Sequence, residues 1–340
     1  MSGARLLVAS MCALAVLAAS CAPRATRAAG QFSLGMVTDV GGLGDRSFND
    51  SAYAGMQRAA RDFRGFIEVL QSRSAADYQP NLTALSNGRY DAIFAIGFLM
   101  NEDLAAVAGL HPKQRYAIID AVVDRPNVTS VTFKEQDGSF LAGALAAMVS
   151  RTHDIAFLGG MDIPLLRKFE AGFIAGAREI DPRTVVRVKY VGSFDDVAAG
   201  KELANILYDS GSDIIFAAAG RAGLGAMDAV KDRSGDYVIG VDSNQDALVP
   251  GKVLTSMIKR VDVAVYRVAV AARRHAPLGG HLVLGLRDDG IALSDFRYTR
   301  AVVRPQMRKR LEAIRAAIVD SRIVVPFTRE GLATFTPTPL

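Results

Sequence analysis

Acidic residues and glycines that could contact a ligand recur where short apolar runs of this sequence end. Asp39, Asp120 and Asp242 close the runs VTD, IID and GVD, and Gly97 and Gly220 close the runs AIG and AAAG. Carboxylates accept hydrogen bonds from a polar ligand, although a single one can equally be a helix cap or a turn former. The repetition of this pattern favours a binding role for the set.

The clearest chemical signal is an aromatic and an amide beside the first of these carboxylates, in the stretch 32–56. Phe48 follows a glycine-rich loop and could stack on a planar ligand, or it could be a hydrophobic staple for the helix that follows. Asn49 can donate and accept hydrogen bonds, whereas Asp39 only accepts. Together they could bind the edge of a heterocycle that carries N–H and carbonyl groups.

Two further residues could either bind a ligand or have a purely structural role. Phe216 lies in the continuous apolar run 214–217, which is typical of a buried strand, and the sequence does not tell which side of the sheet its ring faces. Lys259 follows a strand-like run and could reach a ligand hydroxyl, or it could be a solvated lysine beside Arg260.

Signatures of catalysis, metals and cofactors are weak. The four histidines lack metal-site spacing, and the glycines of the first loop lack the third glycine of a dinucleotide fingerprint because Ser47 occupies its place. The formal charge of +5 comes from 40 basic and 35 acidic residues mixed along the chain, which does not indicate a nucleic-acid partner. We expect no cofactor and no metal.

Strand-like runs that alternate with helical stretches must position these residues. Strands are predicted at 32–37, 66–70, 92–96, 116–119 and 128–133, with helices at 51–63, 78–86 and 102–110 between them and another at 140–149. A similar series follows over 155–258, then helices at 263–273 and 305–320. The alternation predicts an α/β fold with two parallel sheets, whose ligands bind at the carboxyl ends of strands.

The first twenty residues predict an exported protein. Arg5 precedes fourteen uncharged residues, a run too short to span a bilayer as a helix but typical of a signal peptide. The sequence LAASC resembles a lipoprotein cleavage box that would make Cys21 the lipidated first residue. The alternative is an ordinary signal peptide that is cleaved near Ala29. The other cysteine, Cys12, lies in the leader, so no disulfide is expected in the folded body.

The order of many segments resembles the basic membrane protein family, and within it the purine nucleoside receptor lipoproteins. The segments are TDVGGLGDRSFNDSAYAG, IGF, IDAVV, EQDGSFLAG, FEAGF, YDSGSDIIF, VIGVD, VLTSMIKR and IVVP. The resemblance covers residues 32–326. One departure is Gly44-Asp45-Arg46, where the family carries two acids and a lysine.

This resemblance implies the type I periplasmic-binding-protein fold, with two doubly wound parallel-sheet lobes and a hinge of several crossings. The expected organisation is a lipoprotein signal peptide at 1–20, a tether at 21–30, one lobe from 31–134 plus 259–325, and the other from 135–258 plus 326–340. Hinge crossings are expected near 131–136 and 256–260, with a third towards the C-terminus.

The resemblance also implies roles for the candidate residues. Phe48 and Phe216 would hold the two faces of a purine, and Asp39 and Asn49 would bind its edge. The ribose contacts would come from Asp120, Asp242 and Lys259. The glycine loop after Phe216 would let the protein backbone approach the sugar.

The implied protein is a lipid-anchored substrate-binding subunit of an ABC importer, held at the cell membrane and facing the periplasm or exterior. It would capture purine nucleosides such as inosine, guanosine or adenosine by lobe closure and deliver them to permease and ATPase subunits. The alternatives are a binding protein for a sugar or autoinducer, a nucleoside-processing enzyme that uses Asp39 or Asp242 as acid or base, and an adhesin or structural antigen. The last gives no reason for polar residues to gather after strands.

Overall fold

The protein is built from two sheets of six strands, each flanked by helices. The computed structural model describes residues 27–277 and 279–338. The predicted signal peptide, Cys21 and residues 22–26 of the predicted tether lie outside these described residues. No helix within the described ranges combines the length and the apolar character needed to cross a membrane.

The ten strands before residue 260 follow the predicted runs closely. In chain order they are β1 Ser33–Thr38, β2 Phe66–Leu70, β3 Ala92–Ile96, β4 Tyr116–Ile119, β5 Val128–Phe133, β6 Asp154–Gly159, β7 Val185–Tyr190, β8 Ile214–Ala218, β9 Tyr237–Asp242, β10 Val253–Lys259, β11 Gly280–Leu284 and β12 Ile291–Leu293. The helices are α1 Phe48–Phe63, α2 Tyr78–Asn87, α3 Asn101–Leu110, α4 Glu135–Val149, α5 Pro164–Ile180, α6 Val197–Asp209, α7 Gly223–Ala229, α8 Val261–Arg273, α9 Pro305–Val319 and α10 Arg329–Ala333.

The two sheets share one strand order. The first runs β2-β1-β3-β4-β5-β11 with all neighbours parallel, and the second runs β7-β6-β8-β9-β10-β12 with only β12 antiparallel to its neighbour. Central strands such as β3 and β8 are buried along their whole length, which explains why they read as continuous apolar runs. The predicted α/β fold with two parallel-sheet lobes is confirmed.

The chain passes between the two sheets three times. It leaves β5 for α4, which packs on α5 beside the second sheet, and it leaves β10 of that sheet for α8, which packs on α1. The third passage joins β11 to β12 through residues 285–290. We call the first sheet with α1 to α3 and α8 the first lobe, and the second sheet with the remaining helices the second lobe.

The C-terminal part of the chain differs from the expected division. Residues 259–325 are expected in the first lobe, but β12 pairs with β10 and α9 packs against α4, so residues 291–338 belong to the second lobe. Lys259 is the last residue of β10 and therefore also belongs to the second sheet. The physical reason is that β12 completes the edge of the second sheet, where its backbone groups pair with β10.

Close helix packing holds the start of the second lobe rigid. A Cβ atom at Gly143 of α4 would lie 1.9 Å from the carbonyl oxygen of Phe173, and one at Gly176 of α5 would lie 1.9 Å from that of Phe140. The two helix backbones therefore touch through reciprocal glycines. This contact fixes α5, whose first turns face the ligand cavity described next.

Candidate functional site

A cavity lies between the two lobes at the carboxyl ends of their strands. Its empty volume is about 600 Å³, a value that includes open solvent. Its lining residues are Asp39, Gly41, Asp45, Phe48, Asn49, Gly97, Phe98, Leu99 and Asp120 from the first lobe, and Ile163, Leu165, Leu166, Phe169, Phe194, Ala218, Gly220, Arg221, Val241, Asp242 and Lys259 from the second. All the predicted ligand-binding residues except Phe216 line this cavity.

The polar end in the first lobe is built from β1 and the start of α1. Asp39 follows the last residue of β1, and its Oδ1 accepts hydrogen bonds from the Gly41 backbone N–H at 2.9 Å and from Asn49 Nδ2 at 2.8 Å. Gly97 faces the same carboxylate with a φ of 126°, and a Cβ there would lie 3.2 Å from Asp39 Oδ2. Glycine is therefore required at this strand end by its backbone conformation and by the space available.

A buried ion cluster lies beside the aromatic residues of the cavity, with Lys259 Nζ 4.7 Å from the Phe48 ring centroid and 5.6 Å from the Phe169 ring centroid. Lys259 Nζ donates to Asp120 Oδ2 at 2.6 Å and lies 3.8 Å from Asp242 Oδ1. The three side chains are almost completely buried, and both aspartates adopt left-handed backbone conformations, with φ of 70° at Asp120 and 63° at Asp242. Asp120 follows β4, whereas Asp242 and Lys259 are the last residues of β9 and β10, so the cluster joins the two lobes beside the second hinge passage.

Burial changes the pKa values of the ionisable side chains that line this cavity. It raises the pKa of Asp39 to about 7, although hydrogen bonds from Asn49 and Gly41 oppose the shift, and it raises the pKa of Asp242 to about 6. For Lys259, burial acts to lower the pKa, but the charges of Asp120, Asp242 and Glu135 outweigh it and the pKa is raised. Lys259 therefore stays charged at neutral pH, whereas Asp39 changes its protonation near pH 7.

Three buried acceptor atoms at the cavity have no hydrogen-bond partner among the described residues. They are Asn49 Oδ1, Asp120 Oδ1 and Asp242 Oδ1. A buried acceptor without a partner costs about 1–3 kcal/mol, so such atoms are uncommon away from functional sites. All three residues line the same cavity, which makes these atoms candidates for hydrogen bonds from a ligand.

The aromatic residues of the cavity differ in part from the prediction. Phe48 is the first residue of α1 and lines the cavity, as does Phe169 of α5. Phe216 does not reach the cavity: it is fully buried in β8, and its ring centroid lies 5.3 Å from that of Phe173 and 6.5 Å from that of Phe169. The expectation that Phe216 forms one face of the site is therefore wrong. Its ring points to the α5 side of the sheet, where Phe173 is its nearest aromatic neighbour.

Direct hydrogen bonds join the lobes at the mouth of the cavity. Ser47 Oγ donates to Asp242 Oδ2 at 2.8 Å, Ser243 Oγ donates to the Ser47 carbonyl at 2.9 Å, and Gln245 Nε2 donates to the Arg46 carbonyl at 3.0 Å. The atypical turn 44–46 is therefore part of the contact between lobes, with Arg46 in a left-handed conformation at φ 54°.

Sequence reasoning missed four residues of this region. Glu135 is fully buried, lies 3.3 Å from Lys168 Nζ, and has a pKa raised to about 7 by burial, with Lys259 opposing the shift. Because it follows β5, the rule that found the other carboxylates also applies to it. Asp45 and Ser47 could have been found as polar residues before a helix start. Phe169 gave no such signal, since its spacing in α5 is that of a core residue.

Two α/β lobes that each contribute polar and aromatic groups to one cavity define a two-lobed ligand-binding protein. Residues 32–328 match the family described as ABC transporter substrate-binding protein PnrA-like. The chain belongs to this family, which is one of substrate-binding proteins and not of enzymes, and the predicted resemblance is confirmed.

Similar proteins support this assignment. The chain is 36% identical to the CD4+ T-cell-stimulating antigen of Listeria monocytogenes, covering 87% of this chain and 88% of that protein. It is 33% identical to the ABC transporter nucleoside-binding protein BmpA of Lactococcus lactis, covering 86% and 88%. Among solved structures, an ABC transporter solute-binding protein from Aeropyrum pernix superposes with a TM-score of 0.81 at 29% identity, covering 89% of this chain and 96% of that one.

Proposed function

We propose that this protein is the nucleoside-binding subunit of an ABC importer and that its ligand is a purine nucleoside. The observation that carries the proposal is the set of buried, unpartnered acceptors around a cavity lined by Phe48 and Phe169. A nucleoside offers a flat base for the aromatic rings and hydroxyl groups for the acceptors. The nucleoside-binding relative from Lactococcus lactis supports the same ligand class.

The base would lie at the end of the cavity formed by Asp39 and Asn49. Phe48 would cover one face, and Phe169 replaces Phe216 as the aromatic residue offered by the second lobe. Stacking of a base on a protein aromatic is worth about 1–3 kcal/mol, so each ring would contribute substantially to affinity. Gly97 would allow the base to approach this end without meeting a side chain.

The ribose would lie at the ion cluster. Its hydroxyl groups can donate to Asp120 Oδ1 and Asp242 Oδ1 and can accept from the ammonium group of Lys259. Gly220, with a φ of 56°, would let backbone approach the sugar from the second lobe. A nucleoside held in this way contacts both lobes and therefore favours the closed arrangement, which the permease would recognise.

Cys21 would carry a lipid anchor that holds the protein at the outer face of the cell membrane, close to its permease and ATPase partners. Fractionation of cells that express the Cys21→Ser variant tests this anchor. The variant is expected in the soluble fraction, and a variant that stays with the membranes would contradict the anchor.

Isothermal titration calorimetry with inosine, guanosine, adenosine and ribose tests the proposed ligand class. We expect saturable binding of at least one purine nucleoside at a ratio of one per chain, and much weaker binding of free ribose because it lacks the stacked base. Ribose binding in the absence of any nucleoside binding would reject the proposal and would favour a sugar-binding protein.

The two aromatic residues of the cavity should affect affinity, and the buried one should not. We expect Phe48→Leu and Phe169→Leu each to weaken nucleoside binding by about 1–3 kcal/mol, because leucine fills space without offering a ring for stacking. Phe216→Leu is the matched control: it should lower the thermal stability but change the dissociation constant by less than about threefold. Equal losses of affinity in all three variants would contradict the proposed stacking.

A further inference from the structure

The amide of Asn49 is held in one orientation by two carboxylates. Its Nδ2 donates to Asp39 Oδ1 at 2.8 Å and to Asp45 Oδ2 at 3.1 Å, and its Oδ1 is the buried acceptor without a partner among the described residues. If the amide were turned by 180°, its oxygen would face two carboxylate oxygens. The orientation with Oδ1 available to the cavity is therefore strongly favoured.

Asp45 is itself fixed by the start of α1. Its Oδ1 accepts hydrogen bonds from the backbone N–H groups of Ser47 at 2.9 Å and Asp50 at 3.1 Å, and its Oδ2 accepts one from the N–H of Asn49 at 2.7 Å. These N–H groups belong to the helix N-terminus, where a carboxylate is favoured by the helix dipole. Asp45 is thus held by three backbone donors while it holds the side chain of Asn49.

The polar edge that Asp39 and Asn49 present to a base therefore consists of hydrogen-bond acceptors. Asp39 uses Oδ1 for Gly41 and Asn49, which leaves Oδ2 on the side of Gly97, and Asn49 uses both N–H groups of its amide for the two carboxylates. When Asp39 is ionised, Asp39 Oδ2 and Asn49 Oδ1 can only accept hydrogen bonds. A ligand that fits this edge must supply donors.

We propose that Asp45 is a positioning residue which, by fixing the Asn49 amide, makes the protein select purine nucleosides that carry a hydrogen on N1 over adenosine. This inference rests on the proposed function. Guanine offers N1–H and the 2-amino group as adjacent donors, and hypoxanthine offers N1–H. Adenine has a lone pair on N1, which would oppose a carboxylate oxygen and leave one acceptor without a donor.

Titration of the mature chain with guanosine, inosine and adenosine at pH 8 tests the selection. We expect guanosine to bind at least about tenfold more tightly than adenosine, because one buried acceptor is satisfied in one complex and unsatisfied in the other. Inosine should lie between them. Adenosine affinity equal to or greater than guanosine affinity would overturn the inference and leave the proposed function intact, whereas no binding by any nucleoside would reject both.

A matched pair of substitutions tests the part played by Asp45. Asp45→Asn removes one acceptor that fixes the amide, and we expect it to lower the ratio of guanosine to adenosine affinity by at least about fivefold. Asp50→Asn is the control, since Asp50 also accepts two backbone hydrogen bonds in this turn, from Gly44 and Arg46, but does not contact the Asn49 side chain. In Asp50→Asn, the ratio of guanosine to adenosine affinity should stay within about twofold of the wild-type ratio. Equal effects on all nucleosides in Asp45→Asn, with an unchanged ratio, would overturn the positioning role.

Discussion

Replacement of Lys259 by methionine is expected to abolish detectable nucleoside binding and to lower the free energy of unfolding by about 3–5 kcal/mol. The reason is that Lys259 is the cation nearest to the buried carboxylates Asp120 and Asp242, at 2.6 Å and 3.8 Å. Methionine fills a similar volume but leaves these charges in a low-dielectric interior. Chemical denaturation and calorimetry measure the two effects.

Two further variants test whether the loss of charge compensation, rather than the loss of packing, causes the effects of Lys259→Met. Lys168→Met removes a lysine that contacts Glu135 but is about 30% exposed, so we expect a smaller loss of stability than in Lys259→Met and nearly unchanged binding. The double variant Asp120→Asn/Lys259→Met removes one of the uncompensated charges and should recover part of the stability without recovering binding. A Lys259→Met variant with wild-type stability and affinity would contradict the assigned role of the ion cluster.

The second large effect is an opposite pH dependence for two nucleosides. Ionised Asp39 matches the N1–H of guanosine, so guanosine affinity should fall by about tenfold per pH unit as the pH decreases below the pKa of Asp39, about 7. Protonated Asp39 can donate to N1 of adenosine, so adenosine affinity should fall as the pH rises above the same value. The two slopes have opposite signs because one ligand needs the ionised carboxylate and the other needs the protonated one.

The ratio of the two affinities, compared between the wild type and Asp39→Asn, separates Asp39 from other titrating groups, including Asp45, whose pKa burial raises and which accepts a hydrogen bond from the Asn49 amide. Glu135 and Asp242, whose pKa values burial raises to about 7 and about 6, lie near Lys259 and should affect both nucleosides in the same direction. The ratio of guanosine to adenosine affinity should therefore rise steeply between pH 5 and 8 in the wild type, and most of this change should be lost in Asp39→Asn. A ratio that does not change with pH in the wild type would contradict this account of the base edge.

Most of the strands could be predicted because they are buried in two parallel sheets. The run 92–96 became β3 with the same bounds, since every residue in it is buried and apolar. Two helix starts were placed too late. α1 begins at Phe48 rather than at residue 51, and α4 begins at Glu135 rather than at residue 140, because buried polar residues interrupt the apolar pattern.

The return of the chain to the second lobe could not be predicted from local patterns. β12 has only three residues, and its place is set by pairing with β10, which is far away in the sequence. Short edge strands carry too few residues for a period of two to be recognised. The same limit applies to α10, which has five residues and was not predicted.

The polar part of the site could be predicted, and the second aromatic could not. Carboxyl ends of parallel strands meet at one edge of each sheet, so Asp39, Asp120 and Asp242 were expected to gather and do so. A strand residue such as Phe216 faces either of two sides, and the sequence of β8 is apolar on both. The aromatic residue at the cavity is instead Phe169, which comes from a helix and reads as part of its core-facing stripe.

The central claim is that the cavity between the lobes holds a purine nucleoside with its base at Asp39 and Asn49 and its sugar at Asp120, Asp242 and Lys259. A crystal structure of the mature chain with bound guanosine tests it most directly. We expect the base between Phe48 and Phe169, N1–H directed at Asp39, and ribose hydroxyl groups on Asp120 Oδ1 and Asp242 Oδ1. Guanosine bound outside this cavity, or bound in it with the sugar at Asp39 and the base at Lys259, would contradict the claim.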